Sequence, residues 1–503
     1  MEREALPARA ATWSGLRAPA VVPALLVAIV LLGGLLRLYR LTALSLWLDE
    51  GFTVHFARLP WRRVIGLEGQ YDPHPPLYYA IIKAASIPLP ELWAGRAVSA
   101  VAGIATLAVL YLLVARLVNR AAGLLAALAL ALSPVHVWYS QEARQYTLMT
   151  LAIAGSYLAL VLCYQQPSWR HAILYGVSIL AAMYIEYSAL FALLPQIPQL
   201  ALIAYRHRRS ALPLAVGAGG AALGYLPWVP EVIESTRNEG TDRAWYLGVS
   251  TERVMDSIWS LTGFHGQGLY FWGGPTPWDR WPGLHPAFAL LVLAVVAAGG
   301  IALIRRSWLA FAAVAGITAG TVGLAATLSL ISPAYAERTI LPVVLGWCAL
   351  LGAAPFVTRV RAVRIALLGL VGATLLFSLM SLRAIQQGDK QHWDELAAAT
   401  EAAVASGEPL ITSPAITATL IDLYAPAALD GTHVGTGGLG PLNAEARALL
   451  DTSDAIWLAY IDSAESAHVR GLIEAEGFQR LTQQQFRDKL YLDLYTREVS
   501  AGG

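Results

Sequence analysis

Long apolar runs alternate with short basic connections over the first three quarters of the chain, and the pattern stops near Arg383. Runs of membrane length are predicted at Val21–Tyr39, Leu92–Val114, Ala121–Trp138, Tyr146–Tyr164, Ala172–Tyr187, Ala189–Tyr205, Ala211–Val229, Ala287–Ile304, Trp308–Ile331, Ile340–Val357 and Ile365–Leu382. That makes about eleven spans, since a hydrocarbon core needs ~20 apolar residues per helix. The first run is too long for a signal-peptide core and lacks a clear small-residue cleavage site, so it is predicted to be retained. Basic residues set the orientation. Arg3, Arg9 and Arg17 precede the first run, and Arg116 with Arg120, Arg170, Arg206-His207-Arg208-Arg209, Arg305-Arg306 and Arg359-Arg361-Arg364 fall on the same side when alternate connections are followed. The amino terminus is therefore predicted inside, and an odd number of spans puts the carboxyl-terminal tail outside.

Two outer connections, about 44–91 and 230–285, are too long for turns. They are rich in Trp, Tyr and Pro, which predicts ordered structure lying on the membrane. In the first, Phe52, Phe56, Leu59, Trp61 and Ile65 recur at the spacing of a short interfacial helix. In the second, Trp245, Trp259, Trp272, Trp278 and Trp281 suit interface anchors, although the same amphipathic ring suits a sugar platform. Past Arg383 the periods change. Helices are predicted at Trp393–Ala405, Ala415–Tyr424 and Glu465–Glu476, and strands at Pro409–Thr412, Ala455–Tyr460 and Leu490–Tyr495. The Gly-rich run Gly431–Gly440 does not sit between a strand and a helix as a phosphate loop must, and reads as a loop. The predicted fold class is mainly α: a polytopic transmembrane helical bundle over residues 1–384, followed by a small extracytoplasmic α/β domain over residues 385–503.

Composition supports this class. With 56% hydrophobic and 14% charged residues in 503, too little polar side chain remains to coat a soluble globule. A net charge of +1 and basic residues in small groups exclude nucleic acid as a partner. Cys163 and Cys348 lie in separate apolar runs, where neither a disulfide nor a metal site is expected.

The candidate chemistry collects on the outer side. Asp49 and Glu50 follow the first span, and the chain then reads Tyr71-Asp72-Pro73-His74-Pro75-Pro76-Leu77-Tyr78-Tyr79. Adjacent carboxylates at the mouth of a span suit proton abstraction from a group presented at the lipid headgroups; a helix N-cap or a solvated loop is the competing reading. His74 either contacts substrate or is merely held stiff between prolines. Arg144, Arg338 and Arg96, near outer helix ends, offer planar donors that match phosphate oxygens. Arg144 and Tyr146 equally suit residues reaching for the interface. Arg96 could instead pair with an acid, and Glu142 and Glu186 are candidate partners of such arginines. Asp49, Glu50, Asp72 and His74 could in principle converge on a divalent ion, yet no diagnostic ligand spacing supports a metal.

These residues carry a resemblance. Leu48-Asp49-Glu50, Asp72-Pro73-His74-Pro75-Pro76-Leu77-Tyr78, Ser133-Pro134 with His136 through Ser140-Gln141-Glu142-Ala143-Arg144-Gln145-Tyr146, and Glu337-Arg338-Thr339 occur in the order found in GT-C integral-membrane glycosyltransferases. The chain resembles the bacterial branch akin to protein O-mannosyltransferases and lipid A aminoarabinose transferases, over roughly the first 385 residues. Thr339 departs from the pattern, in which Tyr often follows the arginine. The resemblance implies a polyprenyl-phosphate sugar donor, a glycan, lipid or protein acceptor, and transfer on the outer face of the cell membrane by a single inverting displacement. It implies Asp49 as base with Glu50 beside it. Arg144, Arg338, Tyr146 and Arg96 would hold the donor phosphate, and Asp72, His74, Tyr78 and Glu142 would contact substrate, with no metal or other cofactor required. The rival class is a lipid or solute transporter, which would place charges near the midplane and show internal repeats. A third, an assembly protein binding extracellular polymer, leaves the two-part acidic loop unexplained.

Overall fold

The computed structural model describes residues 20–67, 74–238, 249–261, 285–330, 335–386, 390–487 and 489–497. Asp72, Trp245, Trp272, Trp278 and Trp281 lie outside the described residues. The chain forms two compact units: Met1–Leu41, Trp61–Ala84 and Arg96–Gly388 in the first, and Thr42–Pro60, Ala85–Gly95 and Asp389–Gly503 in the second.

The first unit is a helical bundle. Eight helices among the described residues are long and apolar enough to cross a membrane: Val21–Leu38, Glu91–Leu117, Tyr146–Gln165, Tyr187–Arg206, Arg208–Glu234, Ala289–Arg306, Trp308–Leu328 and Arg361–Arg383. This is a multi-pass membrane protein. The other three predicted runs form shorter or broken helices. Ile340–Val357 becomes the short apolar helix Val343–Phe356, and Ala172–Tyr187 becomes the 17-residue helix Trp169–Ile185. Ala121–Trp138 breaks into Arg120–Ala131 and Pro134–Ser140, bent by 62°. The break follows from Ser133-Pro134: the proline disfavours helical geometry at Ser133, then starts the next helix, whose His136 N–H is capped by the Ser133 hydroxyl at 3.4 Å.

Helix breaks inside a bilayer leave carbonyls without donors, and here a buried cation supplies them. Arg37, fully buried, donates to Leu130 O at 3.1 Å and Ala131 O at 3.3 Å, and meets His136 Nδ1 at 2.7 Å. Close helix contact elsewhere relies on missing side chains. A Cβ on Gly176 would come within 2.5 Å of Gly217 O, so helices Trp169–Ile185 and Arg208–Tyr225 touch backbone to backbone. Leu107, Leu130, Ile153, Tyr157, Leu341 and Val344 are among the buried core, while Leu31, Leu35, Val101, Leu223 and Leu376 stay exposed, as lipid contact permits.

The second unit contains a five-stranded sheet of order β2-β1-β3-β5-β4, formed by β1 (Leu410–Ser413), β2 (His433–Gly435), β3 (Ala455–Ile461), β4 (Phe478–Phe486) and β5 (Leu490–Arg497). β1 pairs parallel with β2 and β3, and β5 pairs antiparallel with β3 and β4. The predicted helices are present as Trp393–Val404, Ile416–Tyr424 and Ala464–Ala475. β2 falls within the Gly-rich run read as a loop, and the 3-10 helix Pro426–Leu429, the helix Ala444–Thr452 and the polar edge strand β4 had no sequence prediction. β2 is only three residues long and exists through its pairing with β1.

The helix expected around Phe52 and Phe56 spans Leu48–Arg58 and belongs to this same unit. Its Val54, with Leu46, shares an apolar core with Trp393, Leu396, Leu420, Ile421 and Leu492. Gly51 allows the approach, since a Cβ there would lie 2.4 Å from Leu420 Cδ2.

Candidate active site

In the first unit four predicted residues come together around the turn that follows the broken helix. The Arg144 backbone is held by helix Glu91–Leu117: the Ser99 hydroxyl donates to Arg144 O at 3.1 Å, and Thr147 donates to Ser99 O at 3.2 Å. Arg144 then points its guanidinium at His74, with 3.1 Å between Nη2 and Nε2. Tyr146 is shared by two cations, its ring centroid 6.0 Å from Cζ of both Arg144 and Arg338. Its face stabilises positive charge, so the ring favours both guanidiniums.

Glu186 anchors this group from behind. Its Oε2 lies 3.2 Å from His74 Nδ1 and accepts from Gln145 Nε2 at 2.7 Å, while Oε1 accepts from Ser188 N–H at 3.3 Å. A guanidinium can only donate, so His74 Nε2 must accept and Nδ1 must carry the proton toward Glu186. The carboxylate thereby fixes both the tautomer and the ring plane. Glu186 was predicted only as a partner for arginines, and the structure makes it the partner of His74 instead. A lone acid closing an apolar run was the signal available in the sequence.

Arg338 starts a short 3-10 turn, Arg338–Ile340. Thr339, the departure from the family pattern, folds its hydroxyl back onto Ala336 O at 2.8 Å and so tightens the turn that presents Arg338. Preceding it, Glu337 is buried and accepts from the Ser260 hydroxyl. Burial pushes this carboxyl up to about 8.

Three further predicted residues of this unit have contacts of their own. Arg96 donates to Leu41 O at 3.0 Å, tying down the end of the first span. Tyr78 is buried edge-to-face with Tyr79, ring centroids 5.8 Å apart. Glu142 is buried in the turn before Arg144. Among the described residues, no group of three or more His, Cys, Asp or Glu side chains is placed to hold a metal ion.

In the second unit, Asp49 and Glu50 occupy the first turn of helix Leu48–Arg58, where the partial positive charge of the helix terminus favours carboxylates. The adjacent acids have different environments. Asp49 is half-buried, whereas Glu50 is fully buried, accepts from Trp47 N–H at 3.2 Å, and pairs with Lys390 at 3.2 Å. Capping was the competing reading of these acids from sequence, and Glu50 does cap.

Residues 73–230 match the family model described as dolichyl-phosphate-mannose-protein mannosyltransferase, a stretch that includes His74, Glu142, Arg144, Tyr146 and Glu186. Among curated proteins none matches the chain. Among solved structures, apo ArnT from Cupriavidus metallidurans is similar at a TM-score of 0.55 and 14% identity, over 94% of this chain and 97% of that one. The same enzyme bound to undecaprenyl phosphate gives 0.53 and 14%, over 97% and 100%. Archaeal oligosaccharyltransferase AglB from Archaeoglobus fulgidus, in complex with an inhibitory peptide and a dolichol-phosphate, gives 0.55 and 12%, over 87% and 69%. The chain has the GT-C fold of membrane glycosyltransferases.

Proposed function

We propose that the protein transfers a sugar from a polyprenyl-phosphate donor to an acceptor hydroxyl on the extracytoplasmic face of the cell membrane, by a single displacement that inverts the anomeric centre. The observation that carries this reading is that Arg144 and Arg338 both lie over the ring of Tyr146, with His74 and Glu186 locking one of them. A departing phosphate is already a good leaving group; it needs fixed positive charge rather than a strong acid. Two planar guanidiniums meet that need, and partial desolvation strengthens their contacts. An acceptor hydroxyl loses its proton only as the new bond forms, which calls for a carboxylate base. We assign that role to Asp49, the more exposed of the two acids, and give Glu50 a supporting one. The residues that match the mannosyltransferase family model, and the lipid phosphates bound by the solved structures of like fold, support a lipid-phosphate donor. The proposed topology has about eleven spans with the amino terminus inside.

The test uses purified full-length protein in detergent, with undecaprenyl-phosphate mannose and undecaprenyl-phosphate aminoarabinose as first donors. Release of undecaprenyl phosphate that Asp49→Asn abolishes supports the reading. A detergent solution has no compartments, so turnover there excludes transport as its source. Undiminished release by Asp49→Asn would remove the base assignment.

A further inference from the structure

The helix that carries Asp49 begins at an N-cap position whose own side chain accepts none of the first N–H groups. Ser, Thr, Asp or Asn normally accept the first free N–H groups of a helix, but position 47 is Trp, whose indole can only donate. The backbone N–H groups that lead into the helix find their acceptors in Glu50 and in the carboxyl-terminal segment. Leu46 N–H donates to the Tyr424 hydroxyl at 2.7 Å, and Leu48 N–H donates to Gln391 Oε1 at 2.9 Å. Trp47 N–H goes to Glu50 Oε2, the same oxygen that Lys390 Nζ meets at 3.2 Å across 340 residues of sequence. Gln391 is itself fixed by Trp393, whose indole N–H donates to the same Oε1 at 2.9 Å. Glu50, Lys390, Gln391 and Trp393 are all buried.

We infer that Lys390 and Gln391 are positioning residues for Asp49, and that the carboxyl-terminal segment serves the reaction by holding the start of this helix. The inference rests on the proposed role of Asp49. Three successive backbone N–H groups, at 46, 47 and 48, depend on this arrangement, and Asp49 is the next residue. Lys390 holds the Glu50 carboxylate in the pose that accepts from Trp47. Gln391 accepts from Leu48 with an oxygen that Trp393 prevents from turning away. In this scheme Glu50 keeps its acidity out of the chemistry: it is a cap with a counter-ion.

The test compares full-length variants in detergent by hydrogen exchange of amides 46–51 and by turnover of the two undecaprenyl-phosphate sugars. Lys390→Met should speed exchange across 46–51 and lower kcat by about 10- to 100-fold, the scale of a catalytic group displaced by an ångström, with donor KM little changed. Lys390→Arg should restore most of both. The double variant Glu50→Gln with Lys390→Met keeps a side-chain acceptor for Trp47 N–H and removes both charges, so it should recover turnover lost in Lys390→Met. Gln391→Leu should repeat the exchange effect, and provides the measurement if Lys390→Met fails to fold. Unchanged exchange in both Lys390→Met and Gln391→Leu would overturn the clamp. A double variant as inactive as Lys390→Met, with exchange restored, would overturn it by placing Glu50 in the chemistry. Asp49→Asn reports separately on the base: activity there would sink the assignment of Asp49 while the exchange data still judged the clamp.

Discussion

His74 stands between Glu186, which can only accept as a carboxylate, and Arg144, which can only donate, so each neighbour dictates one ring nitrogen. If this chain orders Arg144 for the donor phosphate, Glu186→Leu should raise donor KM about tenfold, or ~1.4 kcal/mol, close to the lower end of the ~1.5–3 kcal/mol associated with hydrogen bonds to charged groups. Arg144→Ala should cost more, about 100-fold in kcat/KM. The double variant should be no worse than Arg144→Ala alone, because both act through one guanidinium; steady-state kinetics of the three variants checks this. Glu337 makes a different prediction. Its carboxyl is raised from 4.5 to about 8, so between those values the folded protein holds a proton that the unfolded chain has released. Stability from this group is therefore intact below about 4.5 and is lost as pH rises to about 8. Thermal unfolding followed from pH 5 to 8.5 should show Glu337→Gln losing less stability than the parent over that range. Of these residues, His74, Arg144, Tyr146 and Arg338 were legible from motif and position, whereas the identity of their partners was not. Which acid meets which base depends on helix packing, and nothing in the run Ala172–Tyr187 says that its terminal Glu186 will meet a residue more than a hundred positions earlier.

At the scale of elements, two buried junctions invite disruption. Helix Leu48–Arg58 approaches helix Ile416–Tyr424 through Gly51, where even a Cβ would crowd Leu420. Gly51→Val should destabilise by about 1–3 kcal/mol, as overpacking does, and adding Leu420→Ala should recover part of that loss in thermal unfolding. The broken helix depends on Arg37, which donates to the carbonyls freed at Leu130 and Ala131. Arg37→Met takes the donor from Ala131 O, at about 1–3 kcal/mol for an unsatisfied buried acceptor, and one of two donors from Leu130 O, which keeps the Ser133 N–H at 3.3 Å; it should lower the unfolding temperature in detergent more than Arg37→Lys does. Ser133-Pro134 announces that break in the sequence, yet the 18-residue apolar run Ala121–Trp138 around it reads as one span because hydropathy is blind to backbone direction. The edge strand β4 failed for the opposite reason. Its interior carries Arg480, Thr482 and Gln483–Gln485, with no apolar alternation, because most of its side chains are exposed and it is held through its ladder with β5.

For the molecule as a whole, the basic connections predict opposite sides for Tyr205 and Leu439, both exposed. Single cysteines at these positions should separate on labelling of intact cells or spheroplasts with an impermeant maleimide: 439 should react from outside, and 205 only after permeabilisation. Reaction of both from one side would reject the proposed topology. The native Cys163 and Cys348 are buried and should add little background.

Local pattern by itself determined that this protein is a multi-pass membrane helical bundle followed by a small α/β segment, since the length and apolarity of each run are properties of neighbouring residues. Motif and resemblance also singled out the acids and arginines that the proposed mechanism uses. Only the tertiary structure decided that Thr42–Pro60 and Ala85–Gly95 join the carboxyl-terminal unit, that Glu50 is neutralised by Lys390, and that His74 is oriented by Glu186. The physical reason is that a buried polar group must find its partner wherever folding brings one, and such pairings span separations over which hydrophobic periodicity carries no information.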